Sequence, residues 1–422
     1  MKRVTVRYQG REVGEIGTNG RDTLFFYNGT WLQSGIELSP RLMRLRREPY
    51  SGTDPVFYRL PPLFADSLPD RYARQVMKAW FEKHRGAGYQ PTPVEQLAYV
   101  GERGLGALTY HPSVDDFPKS LLRELDLRQQ EKLAQSRLGK SSAKFIEQMR
   151  QGVGSVGGRY PKIICAENPK TGELYEDDPR LEGTVRLWII KFFQEETPYG
   201  GQTEWALAQM ARDAGIVVPE TRLFHSMEGR LRRVHFGIER FDWIGAERIH
   251  VASLAALTGR PSSDTSFDYR DFLAFTLELT RDLQEVAEVY RRMVFNIAVG
   301  NADDHTKNHA FRYRDERWTL SPAYDVTFCP GTPGAPTVRA MPVGGTGLDI
   351  TRSQILELGE EAGLKKSVCR TIIDQVCQAL SKAEAHLEAA KIPKEERKRL
   401  LEYFTETTAR LSQDSPRRKA KR

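Results

Sequence analysis

Residues 300–311 read GNADDHTKNHAF. Two aspartates, two histidines, a lysine and two asparagines share these twelve positions. Three readings compete for them: a metal cluster, the catalytic loop of a phosphotransferase, and a polar turn that caps a helix. The preceding stretch, LQEVAEVYRRMVFNIAVGN, carries Leu283, Val286, Tyr290, Met293, Val294 and Ile297 at steps of three and four. That spacing predicts a helix with one face in a core. Gly300 and Asn301 end it, so the polar cluster falls in a loop. The following stretch, RYRDERWTLSPAYDVTF, reads as a strand, a turn and a short extended piece that brings in Asp325.

Asp303 and Asn308 are five residues apart, and Asp325 follows seventeen residues later. The pattern D-x-x-x-x-N, with a second aspartate beyond a short hairpin, is the polar core of many phosphotransferases. One aspartate accepts or orients the hydroxyl proton. The asparagine and the second aspartate offer hard oxygen ligands to Mg²⁺, which neutralises charge on the transferring phosphoryl group. Alone the pattern is common, and a capping turn would serve. Its position between the apolar helix and Asp325 favours the catalytic loop. A zinc site would use His305 and His309 with Asp303 and Asp304. That i, i+4 spacing aligns ligands only on a helix, and the helix has already ended.

The chain has 422 residues, so two or three structural units are expected. A content of 39% hydrophobic and 28% charged residues suits a soluble globular protein and excludes a disordered one. No apolar run approaches the roughly 18 residues of a membrane span. The start, MKRVTVRYQG, lacks the apolar stretch of a signal peptide. Cys165, Cys329, Cys369 and Cys377 form no CxxC pair. They read as apolar fillers of a cytoplasmic protein. The net charge of +7 favours acidic partners, such as nucleic acid or a phosphorylated ligand. Part of it lies in SPRRKAKR, a solvated tail on this reading.

Working outward, residues 1–112 read as an α+β subdomain. VTVRYQGREVGEI predicts a hairpin, LFFYNGTWL a strand, and LPDRYARQVMKAWFEKHR a helix burying Tyr72, Val76, Trp80 and Phe81. QLAYVGERGLGALTYH closes the subdomain with a helix end, a glycine-rich turn and a strand. Residues 113–150 form a helical connector, 151–245 a β-rich lobe, 246–413 a helical lobe and 414–422 the basic tail. The fold class is α+β, a two-lobed plan with a cleft expected between the lobes.

The β-rich lobe opens on GVGSVGG, residues 152–158, a G-x-G-x-x-G between a helix and a strand. It is neither a Walker A loop nor a Rossmann fingerprint. Its glycines let backbone N–H groups approach phosphates, and a flexible turn is the bland alternative. Lys162 starts the next strand. Lys191 sits in VRLWIIKFF, an otherwise apolar strand, where an unpaired lysine is costly and a snorkelling one is ordinary. Glu204, on the following helix, is a possible ion-pair partner. HFGIERFDW, residues 235–243, occupies the hinge position of a two-lobed enzyme, where backbone groups of Glu239 and Phe241 would meet an adenine ring.

In this order the chain resembles the HipA family of toxin serine/threonine kinases. The resemblance rests on SVGGRYPK (155–162), WIIKF (188–192), EWALAQMARDAG (204–215), IERFD (238–242), NADDHTKNHAF (301–311) and SPAYDV (321–326). VRYQGREVGEI, LPPLFADSLPDRYARQVM and GERGLGAL extend it over most of residues 1 to 410. It implies a kinase-like fold using ATP and Mg²⁺. Asp303 would be the catalytic base, with Asn308 and Asp325 on the metal. Ser155, Val156, Gly157, Lys162, Lys191, Glu239, Phe241 and His305 would line the nucleotide site with them. Ser155 would be autophosphorylated, and the added charge would expel the loop from the phosphate site. The resemblance also implies a helix-turn-helix antitoxin, DNA binding through that antitoxin, and a protein substrate such as an aminoacyl-tRNA synthetase. Tyr160 is bulkier than the loop calls for. Asp304 makes a DD pair with Asp303, and the spacing to Asn308 favours Asp303. A small-molecule or lipid phosphotransferase would share the same acids. A catalytically silent co-repressor would keep the fold without phosphotransfer.

Overall fold

VTVRYQGREVGEI folds as the antiparallel pair β1 (Arg3–Tyr8) and β2 (Arg11–Thr18), turning at Gln9 and Gly10. Val4, Val6 and Tyr8 alternate into the core, the period of a half-buried strand. Strands β3 (Thr23–Tyr27), β4 (Tyr50–Gly52) and β5 (Leu108–His111) complete a sheet of order β4-β3-β2-β1-β5. LFFYNGTWL is a strand only to Tyr27. Asn28 then caps the short helix Gly29–Leu32 by accepting from the Thr30 amide, which diverts the chain. The helix Arg71–Arg85 buries Tyr72, Val76, Trp80 and Phe81 as its periodicity predicts.

The structure, a computed structural model, describes residues 3–18, 22–114, 125–135, 146, 150, 160–176, 185–330 and 339–413. The chain divides into two units. One comprises Met1–Gly201, Glu220–Pro261 and Ala310–Arg317, and the other Gln202–Pro219, Ser262–His309 and Trp318–Arg422. The first unit holds a second antiparallel sheet: β6 (Lys162–Glu167), β7 (Leu174–Glu176), β8 (Arg186–Lys191), β9 (Thr221–Glu228) and β10 (Leu231–Glu239), in the order β7-β6-β8-β10-β9. Trp188, Ile190, Phe192 and Phe224 give this sheet an apolar face. Within the connector, the helix Leu127–Gln135 is tied to the sheet by Glu131, which accepts from Ser226 Oγ and from Arg233. Beyond the hairpin β11 (Trp243–Ile244) and β12 (Glu247–Arg248), strand β13 (His250–Ser253) pairs with β14 (Ala310–Arg314).

The second unit is helical. The helix Leu283–Ala298 packs against Tyr269–Thr280 and Lys366–Leu380, with Val286, Tyr290, Met293, Val294 and Ile297 buried. Leu283 departs from the expected core face and is 48% exposed, because it is the first residue after the Asp282 cap, where the helix starts at the surface. RYRDERWTL forms the expected strands, β14, which belongs to the first unit, and β15 (Arg317–Leu320), with a turn at Asp315 and Glu316, both with positive φ.

Candidate functional site

The end of the helix Leu283–Ala298 is built around Gly300. Its φ is +70°, and a Cβ there would lie 2.6 Å from the Tyr403 ring. Only glycine tolerates both constraints. The Asn301 amide then donates to the Asn296 carbonyl, the Ala302 amide to the Cys329 carbonyl, and the Cys329 amide to the Gly300 carbonyl. Residues 302–309 leave this anchor as a loop with a single 3₁₀ turn, Thr306–Asn308.

The two adjacent aspartates have opposite environments. Asp303 is exposed, while Asp304 is 1% exposed. Asp304 Oδ2 accepts from the Tyr269 hydroxyl at 2.7 Å and from Arg339 Nη1 at 2.6 Å. Arg339 also donates to the Asn301 carbonyl, and Asn296 donates to the Tyr269 hydroxyl. Burial pushes the Asp304 carboxyl up, more than the Arg339 charge and the hydrogen bonds bring it down. Asp304 is therefore locked in a structural network, and Asp303 is the carboxylate that meets solvent.

Asn308 Nδ2 donates to the Asp303 carbonyl at 2.7 Å. Its nitrogen is thereby used, and its amide oxygen is the end left for a cation. Asp325 sits in the left-handed region, φ +56°. The preceding Tyr324 donates its hydroxyl to the Lys307 carbonyl at 2.9 Å, which ties the two loops together. Arg292 holds the same segment through the Ser321 carbonyl at 2.7 Å. Asn301, Asp304, Asn308, His309, Tyr324 and Asp325 line one small cavity, together with the apolar Ile216, Ala323 and Val326. Asn301 Oδ1, Asp304 Oδ1 and His309 Nε2 are buried there without a hydrogen-bond partner among the described residues. Such atoms call for a ligand or ordered water.

The oxygen donors among the cavity residues suit a hard divalent cation. Among the described residues no three His, Cys, Asp or Glu side chains gather to hold a metal. A magnesium ion here would rest on the Asn308 amide and the Asp325 carboxylate, completing its shell from phosphate oxygens and water. The zinc geometry is absent at the two histidines, which flank the 3₁₀ turn with extended backbones and share no helical face. His309 is buried against the Phe272 ring, and burial, with the Arg292 charge, drives its basicity down to about 3. It is a neutral packing group. His305 lies beside it, its Nδ1 also without a hydrogen-bond partner among the described residues.

The first unit carries the other predicted residues. Lys162 and Lys191 are direct cross-strand partners on β6 and β8. Lys162 is buried, and Lys191 Nζ lies 5.7 Å from the Phe236 ring centre. At the end of β10 the Glu239 amide bonds the Glu220 carbonyl and the Arg240 amide bonds that of Leu187. Burial pushes the Glu239 carboxyl up. Phe241 is half-buried. Ser155, Val156 and Gly157 lie outside the described residues.

Sequence reading missed Arg339, Tyr269 and Arg292. Arg339 and Tyr269 each stand 35 positions from Asp304 and belong to no motif. One signal was legible: Asn296 and Arg292 are polar residues on the apolar face of the helix, and buried polar groups imply partners.

Residues 4–111 match the family model of the HipA N-terminal domain, and residues 154–384 that of the HipA-like C-terminal domain. A Sinorhizobium fredii protein named "Putative kinase Y4dM" is 28% identical over 77% of this chain and 78% of its own length. A Haemophilus influenzae protein named "Putative kinase" is 25% identical over 56% of this chain and 75% of its own. The HipA of a Shewanella oneidensis toxin–antitoxin system, solved with HipB and operator DNA, superposes with a TM-score of 0.70 at 18% identity, covering 97% of this chain and 96% of its own. That likeness shows a shared fold over nearly the whole length.

Proposed function

This chain belongs to the HipA family, and from that premise we propose that it is an ATP- and Mg²⁺-dependent serine/threonine protein kinase, the toxin of a toxin–antitoxin pair. One observation carries the reading. An exposed Asp303 and a metal-competent Asn308 are joined by a hydrogen bond, and Asp325 lines the same cavity as Asn308. That is the acid, amide and carboxylate set that phosphoryl transfer requires.

In this mechanism Asp303 accepts the proton of the substrate hydroxyl as that oxygen attacks the γ-phosphorus. The bond to the β,γ-bridging oxygen breaks, and ADP leaves. Bound Mg²⁺ would neutralise the phosphate charge. Asn308 and Asp325 would hold it. Lys162 and Lys191 would pair with phosphate oxygens. The Glu239 carbonyl and the Phe241 amide would orient the adenine. Ser155 would be the site of autophosphorylation. The partners on this reading are a helix-turn-helix antitoxin, through which the pair binds DNA, and a protein substrate such as an aminoacyl-tRNA synthetase, in the cytoplasm.

The test is incubation of the purified protein with ATP and Mg²⁺, beside Asp303→Asn, with phosphosites mapped by mass spectrometry. Phosphate on Ser155 in the native protein alone supports the kinase and its base. Absence of both phosphate and nucleotide binding would overturn the proposal.

A further inference from the structure

The glycine-rich turn GERGLGAL, residues 101–108, has no part in the chemistry above, yet three side chains grip it, the buried Arg240 and Asp242 and the half-buried Arg248. Asp242 Oδ2 accepts from the Gly106 amide at 2.7 Å. Arg240 forms a two-pronged pair with Asp242, at 2.9 and 2.7 Å, and reaches the Gly104 carbonyl at 3.5 Å. Arg248 donates to the carbonyls of Gly104 at 2.7 Å and Glu102 at 2.9 Å. Arg240 and Asp242 are 6% and 3% exposed. Burial alone would raise the Asp242 carboxyl, but the Arg240 charge, its hydrogen bonds and the Gly106 amide hold it below the ordinary range. The pair is therefore ionised. Gly106 itself has φ +75°, and a Cβ there would sit 3.1 Å from the Val251 amide, so the turn fits only as glycine.

Arg240 and Asp242 alternate with Glu239 and Phe241, the two residues proposed to meet adenine. Strand β10 ends at Glu239 and the chain bends at Phe241 and Asp242, so the grip holds the bend itself. We infer that the turn at residues 101–106 sets the backbone path of residues 239–241, with Arg240 and Asp242 as positioning residues for nucleotide. The inference rests on the kinase reading. The N-terminal subdomain would then act on the nucleotide site through this grip, in addition to packing against its neighbours.

A control separates positioning from support. Asp66 also joins the N-terminal segment to the later chain, accepting from Ser253 N at 2.8 Å and Ser253 Oγ at 2.6 Å, eleven positions beyond Asp242. The experiment titrates a fluorescent ATP analogue with MgCl₂ against the full chain, Asp242→Asn and Asp66→Asn, with Tm measured for each and KM and kcat where phosphotransfer is seen. Positioning predicts that Asp242→Asn weakens binding about tenfold and raises KM with little change in kcat, while Asp66→Asn binds as the native protein does. Equal weakening in both, in step with Tm, would reduce the grip to a structural joint and overturn the inference. Unchanged affinity in Asp242→Asn would overturn it as well. Should Asp242→Asn fail to fold, Arg248→Gln replaces it. It frees the Glu102 carbonyl and leaves Gly104 the 3.5 Å contact from Arg240, while keeping the pair, and about threefold weaker binding is expected. Native-like affinity in Arg248→Gln would then overturn the inference. Absence of binding by the native protein would sink the kinase reading, and the inference with it.

Discussion

Arg339 holds Asp304 at 2.6 Å across 35 positions, with the two side chains 5% and 1% exposed. Removing one member of such a pair leaves the other charge buried and uncompensated. Arg339→Met should cost about 3–5 kcal/mol. Arg339→Met with Asp304→Asn should recover part of that, because the stranded charge is gone. Urea titrations of the three proteins check this, and an additive double variant would refute the coupling.

The neighbouring aspartates should separate cleanly in the same assays. Asp303→Asn alters an exposed side chain, so stability should stay within about 0.5 kcal/mol. Phosphotransfer should fall by about a hundredfold or more, the share of a positioned base. Asp304→Asn should instead lower stability first. Activity retained in Asp303→Asn, together with loss in a folded Asp304→Asn, would exchange their roles.

Gly300 gives a test of the loop anchor. Gly300→Ala adds a methyl 2.6 Å from the Tyr403 ring at φ +70°. The clash and the left-handed backbone together should cost roughly 2 kcal/mol or more. Adding Tyr403→Ala opens the space but leaves the backbone strain, so rescue should be partial. Full rescue in thermal melts would mean that the backbone term is negligible here.

The fold was legible where local periodicity and tertiary burial agree. The helices around Tyr72 and Val294 and the hairpins at Gln9 and Asp315 follow from spacing and turn chemistry. LFFYNGTWL misled because a single Asn28 cap overrides strand propensity. Leu283 misled because periodicity does not say where a helix enters the core. At the site, the acids and the asparagine were visible as a motif. The division of labour between Asp303 and Asp304 was not, since it depends on Arg339 and Tyr269, which only folding brings near. The grip on Gly104 and Gly106 was hidden for the same reason, as it joins residues 136 to 146 positions apart.

Acid should unfold the protein partly through two histidines of the first unit. Burial holds His235 and His250 down to about 4, against 6.5 in the unfolded chain. Nδ1 of His235 accepts from the Phe193 amide, so the neutral ring is the form the fold uses. The unfolded chain takes up these protons near pH 6.5 and the folded chain only near 4. Their contribution is therefore complete above about pH 6.5 and is lost as pH falls toward 4, by about 1.4 kcal/mol per pH unit for each ring. His235→Gln and His250→Gln should each flatten the stability profile in that window. Unfolding titrations at pH 7, 5.5 and 4.5 measure the slope, and an unchanged slope in both variants would assign the acid loss to carboxylates.

Tyr324 couples the two loops that the mechanism needs together. Its hydroxyl bonds the Lys307 carbonyl, one residue before Asn308, and its own chain continues into Asp325. Tyr324→Phe removes that bond and keeps the ring, a change worth about 1 kcal/mol of stability. If Asn308 and Asp325 act on one cation, loosening this tie should weaken Mg²⁺-dependent nucleotide binding more than metal-free binding, by about threefold or more. Titrations of ATP with and without MgCl₂ read the difference directly. Equal weakening under both conditions would place the effect on the nucleotide itself and separate Asp325 from the metal.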